Sequence, residues 1–197
     1  MRLVADDLTC VRAGREIFAG LSFSLSAGEA LVITGRNGAG KSSLLRMAAG
    51  LLRIAGGYVG LKNASGELSL PEQSHYLGHL DAHKASLTVA ENLRFWADYF
   101  GGHGDRRALA TVGLDSLANL PTGYLSAGQK RRFSLARLIA VKRPVWLLDE
   151  PGSALDAAAQ KQLAAIMNAH LRSGGIILAA AHGPIGLKRA QRLRLGA

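Results

Sequence analysis

Two short segments of the chain carry residue types that, at their spacing, can hold phosphate groups. Residues 35–43 read Gly-Arg-Asn-Gly-Ala-Gly-Lys-Ser-Ser and match the phosphate-loop pattern Gly-x4-Gly-Lys-Ser in full. Glycines let such a loop turn its backbone N–H groups inward, and the following helix adds its positive dipole end. We therefore predict an ATP site in which Lys41 reaches the β- and γ-phosphates and Ser42 holds Mg²⁺. The loop residues predicted to bind ATP are Gly35, Arg36, Asn37, Gly38, Ala39, Gly40, Lys41, Ser42 and Ser43.

An acidic pair, Asp149 and Glu150, closes the apolar run Val145–Leu148. A carboxylate at the end of a buried strand belongs beside the metal in a phosphate-loop protein. We predict that Asp149 binds Mg²⁺ through water, and that Glu150 orients or deprotonates the attacking water. Without a phosphate loop, such a pair would usually face solvent.

The second segment, 125–129, reads Leu-Ser-Ala-Gly-Gln and predicts a capped helix start. Ser126 is the expected N-cap, and Gln129 completes the capping box. A helix N-terminus with a glycine attracts phosphate, and one subunit does not need two such helix ends for one nucleotide. We therefore expect this segment to contact the γ-phosphate bound by another copy of the chain.

The elements that must position these residues alternate between strand and helix. Residues 21–26 alternate apolar and polar side chains, which predicts a half-buried antiparallel strand with partners in 2–12 and 15–18. The other predicted elements are buried strands at 30–34, 145–148 and 176–181 and helices at 41–52 and 157–172. This alternation predicts a mostly parallel sheet.

The helical stretch 84–142 interrupts that alternation and is predicted to be an inserted arm. The expected fold class is α/β: a three-layer ATPase core with an N-terminal antiparallel β subdomain and an inserted helical subdomain. We predict a single domain, 1–197, whose core takes about 1–83 and 143–197.

Composition narrows the range of partners. The 197 residues include 24 Lys and Arg against 14 Asp and Glu, a net charge of +10 that favours an anionic partner such as nucleotide, nucleic acid or a membrane surface. No apolar run approaches the roughly 20 residues of a membrane-spanning helix, so we expect a chain that is soluble or peripheral to a membrane. The single cysteine, Cys10, is predicted to be a small buried residue. The basic segment 187–194 predicts a solvated helix end or a contact with anionic lipid.

These motifs, in this order, resemble those of the nucleotide-binding subunits of ABC transporters along the whole chain. Residues 125–129 are similar to the family signature, and Ser153, Ala154, Leu155 and Asp156 to its D-loop. The resemblance implies a RecA-like P-loop NTPase core, and a nucleotide held between Lys41 of one copy and the signature residues of the other. Those signature residues are Leu125, Ser126, Ala127, Gly128 and Gln129. His182, at the end of a buried strand, matches the switch histidine that contacts the γ-phosphate.

Three positions depart from the family pattern. The glutamine that usually links metal and attacking water to the membrane partner falls at His79, in Tyr76-Leu-Gly-His79. The aromatic residue that usually stacks on adenine aligns with Arg12, whose planar guanidinium can also stack. Gly152 stands in place of a hydroxyl residue, and nothing in the sequence explains it.

Several segments resemble one subfamily, the CcmA-type ATP-binding subunits of the bacterial haem exporter of cytochrome c maturation. They are Tyr76–His79, residues 87–95 and residues 125–138. The resemblance implies an ATPase coupled to transport (a translocase) that pairs with itself and docks on integral membrane subunits at the cytoplasmic face of the inner membrane. ATP hydrolysis there supports haem export or release of haem from a periplasmic chaperone. The residues themselves indicate no haem ligand, and His83 and His170 are predicted to be surface residues.

Three other functions stay open on the sequence. The ATPase of another exporter, for lipid, drug or polysaccharide, would share every catalytic motif. A DNA-clamp ATPase would suit the charge, but it needs a long coiled-coil insertion and no heptad stretch exists here; no nucleic acid is expected. A small-molecule phosphate-loop kinase would have no use for residues 125–129.

Overall fold

A computed structural model of the chain describes residues 1–63, 68–79, 81–102 and 107–196. The chain forms two units, and each contains more than one stretch of sequence. The first unit comprises Met1–Gly78, Arg143–Pro151 and Ile166–Ala197. The second comprises His79–Lys142 and Gly152–Ala165. The division into a core and an inserted arm at 84–142 stays a prediction.

The strands and helices follow the sequence with few surprises. The strands are β1 (Arg2–Arg12), β2 (Arg15–Ser26), β3 (Ala30–Gly35), β4 (Gly56–Lys62), β5 (Ser74–Leu77), β6 (Val145–Asp149), β7 (Ile176–Ala180) and β8 (Gln191–Leu195). The helices of the described residues are α1 (Lys41–Ala48), α2 (Val89–Tyr99), α3 (Arg107–Thr111), α4 (Ala127–Ala140) and α5 (Ala157–Arg172).

An antiparallel sheet of three strands, in the order β2-β1-β4, holds the N-terminal residues of the first unit. Strands β1 and β2 form a hairpin whose two-residue loop is Ala13–Gly14, with φ angles of 47° and 74°. Two consecutive positive φ angles are typical of the tight hairpin turns whose twist matches that of the flanking strands. The predicted antiparallel subdomain is confirmed.

A parallel sheet of five strands, in the order β5-β6-β7-β3-β8, positions the chemistry. Every residue of β6 and β7 is buried, as their continuous apolar sequences predict. The carboxyl ends of parallel strands meet at one edge of a sheet. The residues following β3, those ending β6 and those following β7 therefore share that edge.

One hydrophobic core joins the two sheets and α1 within the first unit. Leu8 and Leu25 of the antiparallel sheet belong to the same buried cluster as Ile33, Leu147 and Leu178 of the parallel sheet. Cys10 lies in this cluster and is 0% exposed, as predicted. Burial raises the pKa of the Cys10 thiol, while a hydrogen bond with Ser43 and the charge of Arg12 oppose that rise. The thiol is a core group that packs next to the helix carrying the phosphate loop.

Two predicted elements are wrong in detail. Helix α1 ends at Ala48 rather than at 52, because Gly50 has φ 71° and the N–H of Leu51 donates to the carbonyl of Arg46 at 2.8 Å. A left-handed glycine with that hydrogen bond terminates a helix. In the basic segment 187–194, for which a helix end was one of two expectations, the last four residues instead belong to β8, which pairs in parallel with β3.

Helices α2 and α4 of the second unit both begin with complete capping boxes. Thr88 and Glu91 exchange hydrogen bonds at the start of α2, and Ser126 and Gln129 do so at the start of α4. Each box satisfies two backbone N–H groups that a helix start leaves free. Both predicted helix starts are confirmed. None of the helices in the described part of the chain has the length and apolarity needed to cross a bilayer.

The prediction that His170 is a surface residue is wrong. Its ring stacks on Trp146 with centroids 3.8 Å apart and planes 7° from parallel, and the side chain is half-buried. A Cβ at Gly175 would lie 2.2 Å from His170 Nε2, so the chain closes over the ring at that point. Burial lowers the pKa of His170 to about 4.

We expect His170 to make the stability of the chain pH-dependent. In the unfolded chain His170 takes up a proton below pH ~6.5, whereas in the folded chain its ring stays neutral down to about pH 4. The stabilisation is therefore complete above pH ~6.5 and is lost as the pH falls, by about 1–2 kcal/mol between pH 7 and 5. Urea unfolding at both pH values should show a smaller loss for His170→Phe, which keeps a stacking ring. Equal losses in the two proteins would contradict the burial of a neutral imidazole.

Candidate nucleotide-binding site

The phosphate loop connects β3 to α1, as predicted, and its last glycine is confined from two directions. Gly40 is the N-cap of α1 with φ 97°. A Cβ there would lie 2.7 Å from Ile17 Cγ2 and 2.9 Å from Phe18 Cδ1 of β2. Only glycine fits both this backbone conformation and this space. The loop thus packs against the antiparallel sheet, which fixes where α1 begins.

Lys41 is held in place by the backbone of the loop itself. Its side chain is 8% exposed, and Nζ donates to the carbonyls of Gly35 at 2.9 Å and Arg36 at 3.2 Å. Both acceptors belong to the loop itself. The ammonium group therefore lies inside the loop that would surround the phosphates, and its position depends on the path of the backbone at Gly35.

Ser42 and Asp149 are brought together from distant parts of the sequence. Ser42 Oγ donates to Asp149 Oδ1 at 3.0 Å, and Asp149 is 3% exposed at the end of β6. A hydroxyl and a carboxylate side by side are hard oxygen donors of the kind that Mg²⁺ prefers. The pair fits the metal site predicted for it. Among the described residues, no group of three or more His, Cys, Asp or Glu side chains is placed so that it could hold a metal ion.

Glu150 and His182 approach each other at the same edge of the sheet. His182 Nε2 lies 3.4 Å from Glu150 Oε1, with side chains 57% and 28% exposed. Glu150 has a left-handed backbone, φ 48°, and its N–H donates to the carbonyl of Ala180 at 3.0 Å. A non-glycine residue in this conformation is strained by about 1–3 kcal/mol, and such strain clusters at functional sites. The left-handed turn follows β6 directly, and the Glu150 carboxylate lies beside His182.

The outer part of the loop is open. Arg36, Asn37 and Gly38 are exposed, and a Cβ at Gly38 would meet no atom within 4 Å. Arg12 is exposed at the end of β1, opposite Arg15 across the hairpin. The predicted role of Arg12 in stacking on adenine stays a prediction.

The second unit brings the signature and D-loop segments together. A Cβ at Gly128 would lie 3.1 Å from the carbonyl oxygen of Ala154, whose own φ is 59°. Leu125 and Leu155 are buried, while Ser126 and Ala127 are exposed at the start of α4. Asp156 Oδ1 accepts from the N–H of Ala159 at 2.8 Å and so caps the start of α5. The sequence marked these segments separately and gave no sign of their contact.

A polar network that the sequence did not indicate follows His79 in the chain. His79 itself is exposed. Asp81 Oδ1 accepts from Ser134 Oγ at 2.7 Å and lies 3.4 Å from Arg131 Nη1, and both donors belong to α4. Arg137 donates to the carbonyl of Ala82 at 3.1 Å. The segment after His79 is therefore fastened to the helix that begins with the signature.

Aromatic stacking completes this attachment. The Arg137 guanidinium lies 3.9 Å from the centroid of Trp96, whose Nε1 donates to the carbonyl of Ala82 at 2.9 Å. Burial lowers the pKa of Arg137 to about 10, and the charge of Asp81 limits that fall. The three-residue spacing of Arg131, Ser134 and Arg137 along α4 places them on neighbouring positions of the helix surface, but it does not reveal Asp81 or Trp96 as their partners.

A model of the protein family described as ABC transporter matches residues 18–153. The chain belongs to the ABC transporter family. The matched region contains the phosphate loop, the signature and the acidic pair; Arg12, Asp156 and His182 lie outside it. Membership implies that the chain binds ATP and is an ATPase.

Full-length relatives confirm the resemblance to the CcmA-type subfamily. Cytochrome c biogenesis ATP-binding export protein CcmA of Nitrobacter winogradskyi is 61% identical over 198 residues, 100% of this chain and 98% of the relative. The protein of the same name from Bradyrhizobium diazoefficiens is 54% identical with the same coverage. These relatives are described as export proteins, not as kinases or DNA-clamp ATPases.

Solved structures confirm the fold class. A protein described as an ABC transporter (ATP-binding protein) from Pyrococcus furiosus superposes with a TM-score of 0.85 at 20% identity, over 99% of this chain and 98% of that one. An ATP-binding subunit of an ABC transporter gives a TM-score of 0.87 at 23% identity, over 99% and 86%. The α/β P-loop NTPase fold with its antiparallel sheet is therefore established.

Proposed function

We propose that the chain is the ATP-hydrolysing subunit of a membrane transporter that serves cytochrome c biogenesis, where it drives haem export or the release of haem from a periplasmic chaperone. The observation that carries this proposal is the 61% identity, over the whole chain, to a cytochrome c biogenesis ATP-binding export protein. Identity at that level, together with an intact phosphate loop, favours the same activity in this chain and in that relative. The alternative is the ATPase of an exporter with another cargo.

The phosphate loop binds the nucleotide in this proposal. The N–H groups of residues 36–41 surround the phosphates. Lys41 Nζ keeps its two carbonyl acceptors and has a third N–H for the β- and γ-phosphates. Ser42 and Asp149 hold Mg²⁺, which supplies positive charge against the phosphate oxygens. Arg12 stacks on adenine from the end of the hairpin.

Hydrolysis uses the two groups that face each other after β6 and β7. Glu150 accepts a hydrogen bond from the attacking water and takes its proton. His182, 3.4 Å from that carboxylate, orients it and donates to the γ-phosphate. His79 takes the place of the family's glutamine and carries the response to the membrane partner.

The nucleotide site is complete only when two copies meet. The exposed N-terminus of α4, with Ser126 and Gly128, contacts the γ-phosphate bound by the other copy, and the D-loop residues 153–156 lie beside it at the interface. ATP closes this homodimer, and hydrolysis reopens it. Membrane subunits dock on the pair at the cytoplasmic face of the inner membrane, where the net charge of +10 suits a peripheral protein near anionic lipid.

Mixing two inactive variants tests the shared site. Lys41→Ala removes the phosphate-loop charge, and Gly128→Asp places a carboxylate where the γ-phosphate of the other copy would lie. Each homodimer has no working site, whereas a mixed dimer has one site with both parts intact. Random pairing should restore about a quarter of wild-type phosphate release. If the signature acted within its own chain, no mixture would recover activity.

Membrane capture tests the cellular role. In cells lacking the chain, the wild-type protein should restore haem-stained c-type cytochromes and co-purify with integral membrane subunits in detergent. Glu150→Gln should co-purify with the same subunits and restore no cytochrome, because docking does not require hydrolysis. If cells without the chain made normal c-type cytochromes but no longer exported another cargo, the alternative exporter would be favoured.

A further inference from the structure

The C-terminal strand runs alongside the strand that leads into the phosphate loop. In the register of β3 and β8, Thr34 pairs with Arg194 and Gly35 with Leu195. Thr34 Oγ1 also donates to the carbonyl of Leu193 at 3.3 Å. Strand β8 is the outer strand of the sheet, and it ends level with the first residue of the loop.

Backbone atoms of Leu195 and Gly196 approach the loop at two places. A Cβ at Gly35 would lie 2.3 Å from the carbonyl oxygen of Leu195, which shows how closely the two backbones pass. Gly196 has φ 68°, and a Cβ there would lie 3.1 Å from the Cβ of Ala39. Leu195 is 4% exposed, so its side chain anchors this end of the strand in the core.

These two close approaches fall on residues that control the shape of the loop. The carbonyl of Gly35 is one of the two acceptors that hold Lys41 Nζ. Ala39 immediately precedes Gly40, the left-handed N-cap of α1. A phosphate cradle binds tightly only when its N–H groups and its lysine are already oriented, because reorientation on binding costs affinity.

We infer that Leu195 and Gly196 are positioning residues for ATP binding: their backbone passes close beside Gly35 and Ala39, leaves the loop no room to move outward, and so holds it in its binding shape. This inference rests on the proposed function only for the identity of the nucleotide. It differs from a purely structural role of β8 in a measurable way. A structural role would alter the stability of the chain, whereas positioning alters ATP affinity in a chain that remains folded.

The test compares glycines that share a backbone conformation and differ in what surrounds them. Gly196→Ala adds a methyl against Ala39 in the left-handed region. Gly174→Ala adds one at φ 87°, where no atom lies within 4 Å, and so imposes comparable backbone strain away from the loop. Binding of a fluorescent ATP analogue and thermal unfolding would be measured for both. We expect Gly196→Ala to weaken binding about fivefold while its kcat at saturating ATP stays near wild type. Gly174→Ala should bind as the wild type does.

A rescue variant separates contact from strain. Ala39→Gly removes the methyl that the new side chain meets, so the double variant Gly196→Ala/Ala39→Gly should bind ATP as Ala39→Gly does alone. Gly196→Asn serves if the alanine variant does not fold, because asparagine tolerates the left-handed conformation and still carries a Cβ. Unchanged affinity in either Gly196 variant, or a double variant no better than Gly196→Ala, would overturn the inference. If the wild-type chain did not support cytochrome c biogenesis while this affinity pattern held, the proposed function alone would be contradicted. A wild-type chain that bound no ATP would overturn both the proposed function and the inference.

Discussion

Glu150→Gln should bind ATP with nearly wild-type affinity and hydrolyse it at least about a hundredfold more slowly. The amide has the size of the carboxylate, so the left-handed turn at φ 48° and the approach of His182 need not change. It cannot take a proton from water, and general-base catalysis is worth roughly 10²–10⁴-fold. In the proposed function hydrolysis reopens the dimer, so the variant should accumulate as an ATP-bound pair.

Gel filtration with ATP and Mg²⁺, combined with a phosphate-release assay, measures both effects. Glu72→Gln makes the same chemical change at an exposed residue outside the site and should behave as the wild type. A monomeric elution volume for Glu150→Gln under these conditions would contradict the two-copy site. Wild-type turnover would contradict the role of Glu150 and move the search for the base to His182.

The sequence predicted those parts of the site whose signals are local. The phosphate loop requires a strand, a glycine turn and a helix in succession, and 30–48 provides all three. The capping boxes at Thr88 and Ser126 need only four residues each, and both are present. The acidic pair was identified because a buried strand precedes it.

Tertiary contacts decided what the sequence could not predict. Strand β8 contains three arginine or glutamine residues among two leucines, and nothing in that pattern indicates its pairing with β3, more than 150 residues away. His170 looks like a helix surface residue until Trp146 is placed beneath it. The positive φ of Glu150 depends on a hydrogen bond to Ala180 of another strand.

The polar network around Asp81 connects the segment after His79 to α4 through buried charged groups. Arg131 is 2% exposed and Arg137 8%, and buried charges of this kind add little net stability because their desolvation offsets their attraction to a partner. They fasten the segment after His79 to the helix whose first turn carries the signature. In the proposed function these are the parts that meet the membrane partner and the second nucleotide. Movement of the segment after His79 would therefore also move the start of α4.

Lys41→Ala should abolish turnover by removing two interactions at once. The γ- and β-phosphates lose their buried positive partner. The carbonyls of Gly35 and Arg36 lose the donor that lies 2.9 and 3.2 Å from them and holds the loop. Charge-assisted contacts of this kind are worth about 1.5–3 kcal/mol each, which corresponds to roughly 10- to 150-fold in affinity. Titration calorimetry with ATP should therefore show binding weakened by at least about tenfold, or lost.

Two further variants separate charge from loop geometry. Lys142→Ala removes an exposed lysine outside the site and should retain binding and turnover. Lys41→Arg keeps the charge, but its larger planar group does not fit a side chain that is 8% exposed between two carbonyls, so it should recover little activity. Full recovery by arginine would show that charge alone matters and that the carbonyl contacts of Gly35 and Arg36 do not. Normal turnover in Lys41→Ala would overturn the assignment of the site.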